Sequence, residues 1–399
     1  MSAATERGDL PLDGITVVSL EHAIAAPFAS RQLADLGARV IKVERPGVGD
    51  FARAYDHRVD GLASHFVWTN RSKESLTLDL KDSTAQEILA RLLNKADVLI
   101  QNLAPGAASR LGLAYDKLAQ TNPGLIVCDI SGYGEGGPYT TKKAYDLLIQ
   151  SESGFLSVTG SPEEEAKAGV SIADIAAGMY AYTAILAALF QRHKTGRGRH
   201  IEISMLEAMV EWMGFPLYYA YKNQSPPARA GASHATIYPY GVFSAGDGGR
   251  LMLGLQNERE WRNFCTQVLQ RPELAEDPRF CSNALRSEHR FELAQLINAV
   301  FDRCTAAEIV DRLEAADIAS ARVNRLEDVW RHAQLHARER WVAVDSPVGR
   351  LPALLPPGAD SAHPARMGPI PVLGEHTRAI LEELGFGDRI SALTQKGVI

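Results

Sequence analysis

Residues 15–44 read ITVVSLEHAIAAPFASRQLADLGARVIKVE, and this stretch decides the fold class. Ile15–Leu20 is an apolar run of strand length. From Pro27 to Leu36 the apolar residues recur at helical spacing, and Gly37 supplies a helix stop. Arg39–Val43 is a second strand. Two strands separated by one helix open a βαβ unit, which needs a crossover and places its strands parallel.

The alternation continues. Ser75–Leu80 reads as a third strand, Asp82–Asn94 as an amphipathic helix, Asp97–Gln101 as a fourth strand and Leu125–Ile130 as a fifth, before a glycine-rich turn at Gly132–Gly137. Asp174–His193 is a long apolar helix, Ile201–Ser204 a short strand and Leu206–Tyr221 a mostly apolar helix. Pro, Arg and Gly between Asn223 and Ala232 mark a domain boundary. Short strands and helices follow from Tyr238 to Ala319. Then come an exposed helix (Leu326–Arg338), a Pro-rich crossover (Pro347–Pro371) and a last helix from His376 to Leu384. The class is α/β with a largely parallel sheet.

Composition narrows the function. A chain of 399 residues, 46% hydrophobic, has material for two domains. Its net charge of -6 argues against nucleic-acid binding. Cys128, Cys265, Cys281 and Cys304 form no CxxC pair, so reduced thiols and a cytoplasmic location are expected rather than a disulfide framework. The first residues carry Glu6 and Asp9 and no apolar signal region. No run of 18 apolar residues free of charge appears, so no membrane span is expected.

The nearer α/β chemistries lack their motifs. The first turn, Glu21-His22-Ala23-Ile24-Ala25-Ala26-Pro27, has none of the glycines that let a backbone approach a pyrophosphate. There is no P-loop, no GxSxG elbow and no HExxH metal spacing, so no metal is expected. Carboxylate chemistry remains, and Asp174 stands out within GVSIADIAAG (169–178), an acid among small residues at the head of an apolar helix. Locally it reads either as the helix N-cap or as a carboxylate held ionised at a cleft.

Several segments together resemble the class III CoA-transferases, the family of formyl-CoA transferase and carnitine CoA-transferase. They are DLGARVIKVE (35–44), Asn70-Arg71-Ser72-Lys73 with Leu76–Leu80, Asn102-Leu103-Ala104-Pro105-Gly106 with Leu111-Gly112, HKTGRG (193–198) and LGEHT (373–377). The resemblance runs from Pro11 to the C-terminus. It implies a large Rossmann-like domain built from both chain ends (1–224 and 325–399), a smaller α+β middle domain (225–324) and an interlocked homodimer. It implies that Asp174 attacks an acyl-CoA thioester, giving an anhydride and then an aspartyl-CoA thioester. CoA contacts carry over to Ile24, Ala25, Arg45, Leu78, Lys81, Asn102, Leu103, Arg110, Leu111, Lys143 and Met205. CoA thioesters and a free carboxylic acid are then the substrates, with no permanently bound cofactor. Ala230-Gly231-Ala232-Ser233-His234 is the candidate loop for shielding the intermediates.

His22, Arg31, Arg53, Tyr55, Tyr145 and Asp146 form the candidate acid pocket, with His65 and Arg71 nearby. Likeness to the succinyl-CoA-using members implies succinyl-CoA as donor and a dicarboxylate as acceptor. Two alternatives stand beside this. The same fold resembles 2-methylacyl-CoA racemase, but its histidine position holds Tyr145, a poor exchange base near neutrality. A non-catalytic acyl-CoA binder is the other.

Overall fold

The computed structural model describes residues 10–399 as two compact units. The first takes the chain up to Gly154, Ala168–Gly214 and Leu335–Ile399; the second takes Phe155–Lys167 and Phe215–Gln334. The chain runs β1 (Thr16–Leu20), α1 (Ala25–Asp35), β2 (Arg39–Glu44), α2 (Ser64–Thr69), β3 (Lys73–Thr77), α3 (Ser83–Leu93), β4 (Val98–Gln101), α4 (Ala107–Arg110), α5 (Tyr115–Thr121), β5 (Ile126–Ser131) and α6 (Asp146–Glu152). After α7 (Phe155–Val158), in the second unit, come α8 (Ile172–Thr195), β6 (His200–Ser204) and α9 (Met205–Trp212).

All six strands pair parallel in the order β3-β2-β1-β4-β5-β6. Val17, Val18, Ile41, Leu99, Ile100 and Val127 are fully buried, as expected of strands covered on both faces. The order reverses between β1 and β4. In such sheets a crevice opens beyond the carboxyl ends of the strands at that switch point.

Helix α8 bears on the expected absence of a membrane span. By length and hydropathy it could cross a membrane, with a mean hydropathy of 1.6 over an 18-residue window. Here it is a core helix: Ala173, Ala176, Ala177, Gly178, Ala181, Ile185 and Ala188 are buried, and it packs chiefly on α1, α9, β5 and β6.

Other boundaries move for identifiable reasons. The apolar run Leu206–Tyr221 breaks into α9 and α10 (Gly214–Tyr219), because Pro216 has no N–H to continue a helix across Gly214. The third strand begins earlier, at Lys73, and Leu78–Leu80 leave the sheet. In the second unit β7 (Tyr240–Ser244), β8 (Arg250–Gly254) and a later β9 (Ala319–Arg322) form an antiparallel sheet. It packs around Phe243, Trp261, Phe264, Phe280 and Phe301 with α11 (Glu258–Asn263), α12 (Asn283–Glu288), α13 (Arg290–Phe301) and α14 (Ala306–Ala315).

Leu326–Arg338 is two short helical pieces, α15 (Leu326–Val329) and α16 (Ala333–Ala337), rather than one helix. The Pro-rich crossover contains a hairpin of β10 (Trp341–Ser346) and β11 (Gly349–Leu354); its two-strand sheet tolerates Pro352 because each strand is an edge. The chain ends not on α17 (Thr377–Glu383) but on α18 (Ile390–Gln395), whose Leu393, with Phe386 and Val398, joins the core under β3 and α3.

A buried ionic network ties β1, β2 and β3 together. Glu21 accepts hydrogen bonds from Lys73 Nζ at 2.6 Å and Ser30 Oγ at 2.6 Å, and pairs with Lys42 Nζ at 3.3 Å. Lys42 also reaches Asp50 at 2.7 Å, and Lys73 donates to Asn70 Oδ1 and the Pro27 carbonyl. The four charged side chains are fully buried. Burial alone pushes the Glu21 carboxyl up, but Lys73 and Lys42 outweigh it and hold it low. For Lys73 burial wins, and its ammonium is lowered to about 8 despite Glu21.

Removing one partner of a buried pair strands the others. Glu21→Gln should therefore cost about 3–5 kcal/mol, read as a fall in the urea unfolding midpoint at constant slope. A loss under about 1 kcal/mol would show that the lysines find other partners.

Candidate active site

The turn after β1 lies at the switch point and is pinned by two residues, Asn102 and Asp50, through three hydrogen bonds. The His22 N–H donates to Asn102 Oδ1 at 2.9 Å, and Asn102 Nδ2 donates back to the His22 carbonyl at 2.9 Å. The Ala23 N–H donates to Asp50 Oδ1 at 3.1 Å, which holds Ala23 at a φ of 62°. That left-handed conformation is unfavourable for alanine and persists only when its surroundings impose it. Helix α1 then starts at Ala25 behind Ile24, which offers no side-chain cap, so the first N–H groups of the helix are available to another partner.

Asp174 lies near this helix start, close enough for the Ala25 backbone amide to lower its carboxyl. Close approach of the two helices depends on Gly178, four residues along α8 and on the same face. A Cβ there would lie 2.7 Å from the Ala25 carbonyl oxygen and 2.9 Å from Phe28 Cδ1.

Asp174 is not the helix cap. Ser171 occupies that position without a capping side chain, and Asp146 of α6 caps from outside, its Oδ1 accepting the Ala173 N–H at 2.8 Å. Asp174 is the third helical residue, partly buried. Burial first, and then the charge of Asp146, raise its carboxyl to about 7, against the lowering effect of the Ala25 amide. A carboxyl near 7 is both ionisable at neutral pH and unusually basic, the condition in which a carboxylate is an effective nucleophile or base.

Tyr55 and Tyr145 complete the surroundings. Burial, with the charges of Asp50 and Asp174, pushes the Tyr55 phenol up to about 12, and Tyr145 also acts on it. Tyr145 is exposed. His22 stacks on Phe51, Phe51 meets Tyr55, and Tyr55 meets His65 edge-on, forming an aromatic row beside the turn.

A cleft of about 480 Å³ opens beside the same turn. It is lined by His22, Val43, Glu44, Arg45, Leu78, Asp79, Leu80, Lys81, Leu103, Arg110 and Leu111, among others. Three cations over a leucine-rich floor suit a ligand that carries phosphates and a flat apolar ring. The cleft gathers Arg45, Leu78, Lys81, Leu103, Arg110 and Leu111 from four separate segments of the chain. Ile24, Ala25 and Asn102 build the adjoining turn. Lys143 is exposed and Met205 is buried at the head of α9, and neither lines this cleft.

The residues expected around the acid divide differently. His22 lines the phosphate-suited cleft, 3.7 Å from Asp50. Arg31 pairs with Asp35 at 2.7 Å, which Arg71 also grips. Arg53 makes a two-point contact with Glu44 and lies over the Phe66 ring. Both carboxylate oxygens of Asp146 are engaged, by the Ala173 N–H and by Gln150 Nε2 at 2.7 Å. Tyr55 and Tyr145 are the members of the set that act electrostatically on one another beside Asp174. The 230–234 loop lies in the second unit, where His234 stacks on Tyr240.

Sequence reading passed over the Glu21–Lys42–Lys73 network, the close approach at Gly178 and the cap from Asp146. The signal for the first was present in part, since Lys42 stands between Ile41 and Val43 in the strand RVIKVE, on a sheet that is buried on both faces.

The model of CoA-transferase family III matches residues 12–377. The chain belongs to this family. It is 34% identical over 395 residues to succinyl-CoA:glutarate CoA-transferase of Mus musculus, covering 98% of this chain and 90% of the relative. It is 35% identical over 384 residues to the succinate–glutarate CoA-transferase of Agrobacterium fabrum, covering 94% and 96%. A crystal structure of a CaiB/BaiF family protein from Brucella suis superposes with a TM-score of 0.84 at 34% identity, covering 94% of this chain and all of that one. The protein is thus a family III CoA-transferase, an enzyme class whose members act on CoA thioesters and carboxylic acids.

The raised Asp174 carboxyl sets a pH dependence of stability. Its folded value of about 7 lies above the unfolded value of about 3.9, so the folded chain holds the extra proton between those limits. Stability from this group is full below pH 4 and lost as pH rises through 7. Asp174→Asn keeps an acceptor for Ala25 and removes the charge. It should be more stable than the parent at pH 8, by on the order of 2–4 kcal/mol, and equal to it near pH 4. Melting temperatures at the two pH values check this; a variant no more stable at pH 8 would contradict the raised carboxyl.

Proposed function

We propose that this family III CoA-transferase moves CoA from succinyl-CoA to a second dicarboxylic acid, with Asp174 as the covalent nucleophile. The observation that carries the reading is the Asp174 carboxyl itself: partly buried at the head of α8, raised toward neutrality by burial and Asp146, and close to the Ala25 amide and to Gly178, which lets α1 approach. The relatives named for succinate and glutarate support the choice of acids.

The Asp174 carboxylate attacks the thioester carbonyl of the donor, and the C–S bond breaks to release CoA thiolate and leave an acyl–aspartyl anhydride. The thiolate then attacks the Asp174 acyl carbon, and the donor departs as its free carboxylate, leaving an aspartyl-CoA thioester. The acceptor carboxylate attacks that thioester, thiolate leaves again and a second anhydride forms. Attack of thiolate on the acceptor's acyl carbon yields the new acyl-CoA and returns Asp174. No proton or electron is consumed overall, and one difficult exchange becomes four displacements at activated carbonyls.

In this reading Arg45, Lys81 and Arg110 hold the phosphates of CoA, while Leu78, Leu103 and Leu111 line its adenine and upper pantetheine. Ile24, Ala25, Asn102, Lys143 and Met205 complete the contacts. Tyr55 and Tyr145 border the acyl group. Both intermediates hydrolyse, so water must be excluded while they exist, a task we assign to the loop at 230–234. Tyr145 at the exchange-base position of a racemase supports transfer over proton exchange.

We infer further that two chains interlock, with residues 1–224 and 325–399 forming the large domain and 225–324 the small one. Apolar exposure supports an assembly. Leu147, Leu148, Phe190 and Trp212 are open on the first unit, and Phe215, Leu217, Tyr218 and Tyr221 on the second. Four unpaired cysteines suit a reducing cytoplasm.

Incubation with succinyl-CoA, a hydroxylamine quench and peptide mass spectrometry should place the modification on Asp174. Asp174→Ala should lose on the order of 10³-fold or more in turnover. An unmodified Asp174 together with an active alanine variant would end this reading, and no transfer to any dicarboxylate would end the choice of acids. Light scattering in solution should give twice the 43.4 kDa of one chain; a monomeric mass would exclude interlocking.

A further inference from the structure

The charge chosen to cap α8 is unexpected. Ser171 leaves the first N–H groups of the helix without a side-chain acceptor, and Asp146 fills the role from α6. Any small polar side chain with an oxygen can do this; serine, threonine and asparagine cap as well as aspartate. A full negative charge beside a second carboxylate carries a penalty that a neutral cap avoids.

The bracing around Asp146 is extensive. Its second oxygen accepts from Gln150 Nε2 at 2.7 Å, and Gln150 Oε1 accepts the Ala168 N–H at 2.9 Å. Gln150 is fully buried. The run Ala173 N–H, Asp146, Gln150, Ala168 N–H thus ties α6 to the chain on both sides of the entry into α8, within one unit. With both oxygens engaged by donors, the Asp146 carboxylate is fixed in place and aimed.

We propose that Asp146 is a positioning residue for Asp174: it fixes the first turn of α8 and, by its charge, favours the acylated, uncharged forms of Asp174 over the bare carboxylate. This rests on Asp174 being the nucleophile. Converting Asp174 to anhydride or thioester removes one of two neighbouring negative charges, so repulsion stored in the free enzyme is released on acylation. Protonation removes the same charge. The coupling that raises the proton affinity of Asp174 must therefore raise the stability of its thioester by a similar factor.

The other groups around Asp174 do not supply this effect. Tyr55, its phenol pushed up to about 12, stays neutral at working pH, and α1 contributes the Ala25 amide, which acts in the opposite direction. Arg31 and Asp35 of α1 pair with each other beside Tyr182, about two turns further along α8. Asp129 of β5 and His200 of β6 pair at 2.7 Å, and Glu207 and Glu211 of α9 are exposed.

The test uses the whole enzyme and three forms, the parent, Asp146→Asn and Gln150→Leu. Asp146→Asn keeps a capping oxygen and loses the charge; Gln150→Leu loosens the brace and keeps the charge. The acid limb of kcat/KM for acyl-CoA reports Asp174 in the free enzyme. In Asp146→Asn it should move down by about one pH unit, and the ratio of trapped aspartyl-CoA to free enzyme, at fixed acyl-CoA and acid, should fall by about ten-fold. Gln150→Leu should lower kcat with the limb in place. An unmoved limb and an unchanged trapped ratio in Asp146→Asn would overturn the proposal and leave Asp146 as a brace alone. If Asp146→Asn does not fold, Asp146→Ser, which also caps, gives the same two readouts. Failure to trap anything on Asp174 in the parent enzyme refutes the nucleophile instead, so the two failures are distinct.

Discussion

The Glu21–Lys42–Lys73 network is the constraint on which the site depends. Four buried charges bring no obvious gain in stability, since a well-packed apolar core can do as well or better. What they give is a fixed geometry. Glu21 follows directly on β1, Lys42 and Lys73 come from the next two strands, and Asp50 returns from the loop after β2. Asp50 then holds the Ala23 amide as well as Lys42. The turn that follows β1 is thereby locked to the sheet from below, while Asn102 locks it from the end of β4. A turn without glycines could not otherwise be held with Ala23 in a left-handed conformation.

This locked turn has two neighbours. It borders the cleft lined by Arg45, Lys81 and Arg110 through His22. The amide of Ala25, just beyond it, acts on the Asp174 carboxyl. A single short loop therefore relates a phosphate-suited cleft to a reactive carboxyl, with Gly178 allowing α8 to come close enough for the contact. The absence of a dinucleotide glycine pattern follows from the same design. In the glycine-rich version the backbone must admit a pyrophosphate, whereas here the turn is filled by its own side chains and presents its helix N-terminus to a protein carboxylate.

Legibility in the sequence followed the range of the interaction. The strands of the parallel sheet, α1, α3 and α8 were readable because apolar period and stop signals are local. The hairpin at Trp341–Leu354 was hidden by its prolines, and α18 by its brevity, because neither has enough residues to show a period. Asp174 was visible as an acid among small residues, but its local reading as a helix cap was wrong: the cap comes from Asp146, 27 residues earlier in the chain. Arg31 and Arg53 looked available for an acid only because the carboxylates that hold them, Asp35 and Glu44, face them through the fold. Spacing along a chain shows which residues share an element. It does not show which charge another element will bring against them.

The closure of those arginines bears on how an acid is recognised. Arg31 and Arg71 share Asp35, and Arg53 is committed to Glu44, so these cations stand in pairs within their own unit. Of the residues expected around the acid, Tyr55 acts with Asp174 and Tyr145 acts on Tyr55. A phenol can donate to a carboxylate but does not neutralise it, so these two side chains offer hydrogen bonds and aromatic surface rather than charge matching. For the dicarboxylate proposed as acceptor, a second contact from such hydroxyls gives modest affinity. Selection then rests on chain length and shape, where one methylene is worth only about 1–3 kcal/mol. Under that proposal broad acceptance of short dicarboxylates is the consequence, and narrow selectivity for one of them requires a cation.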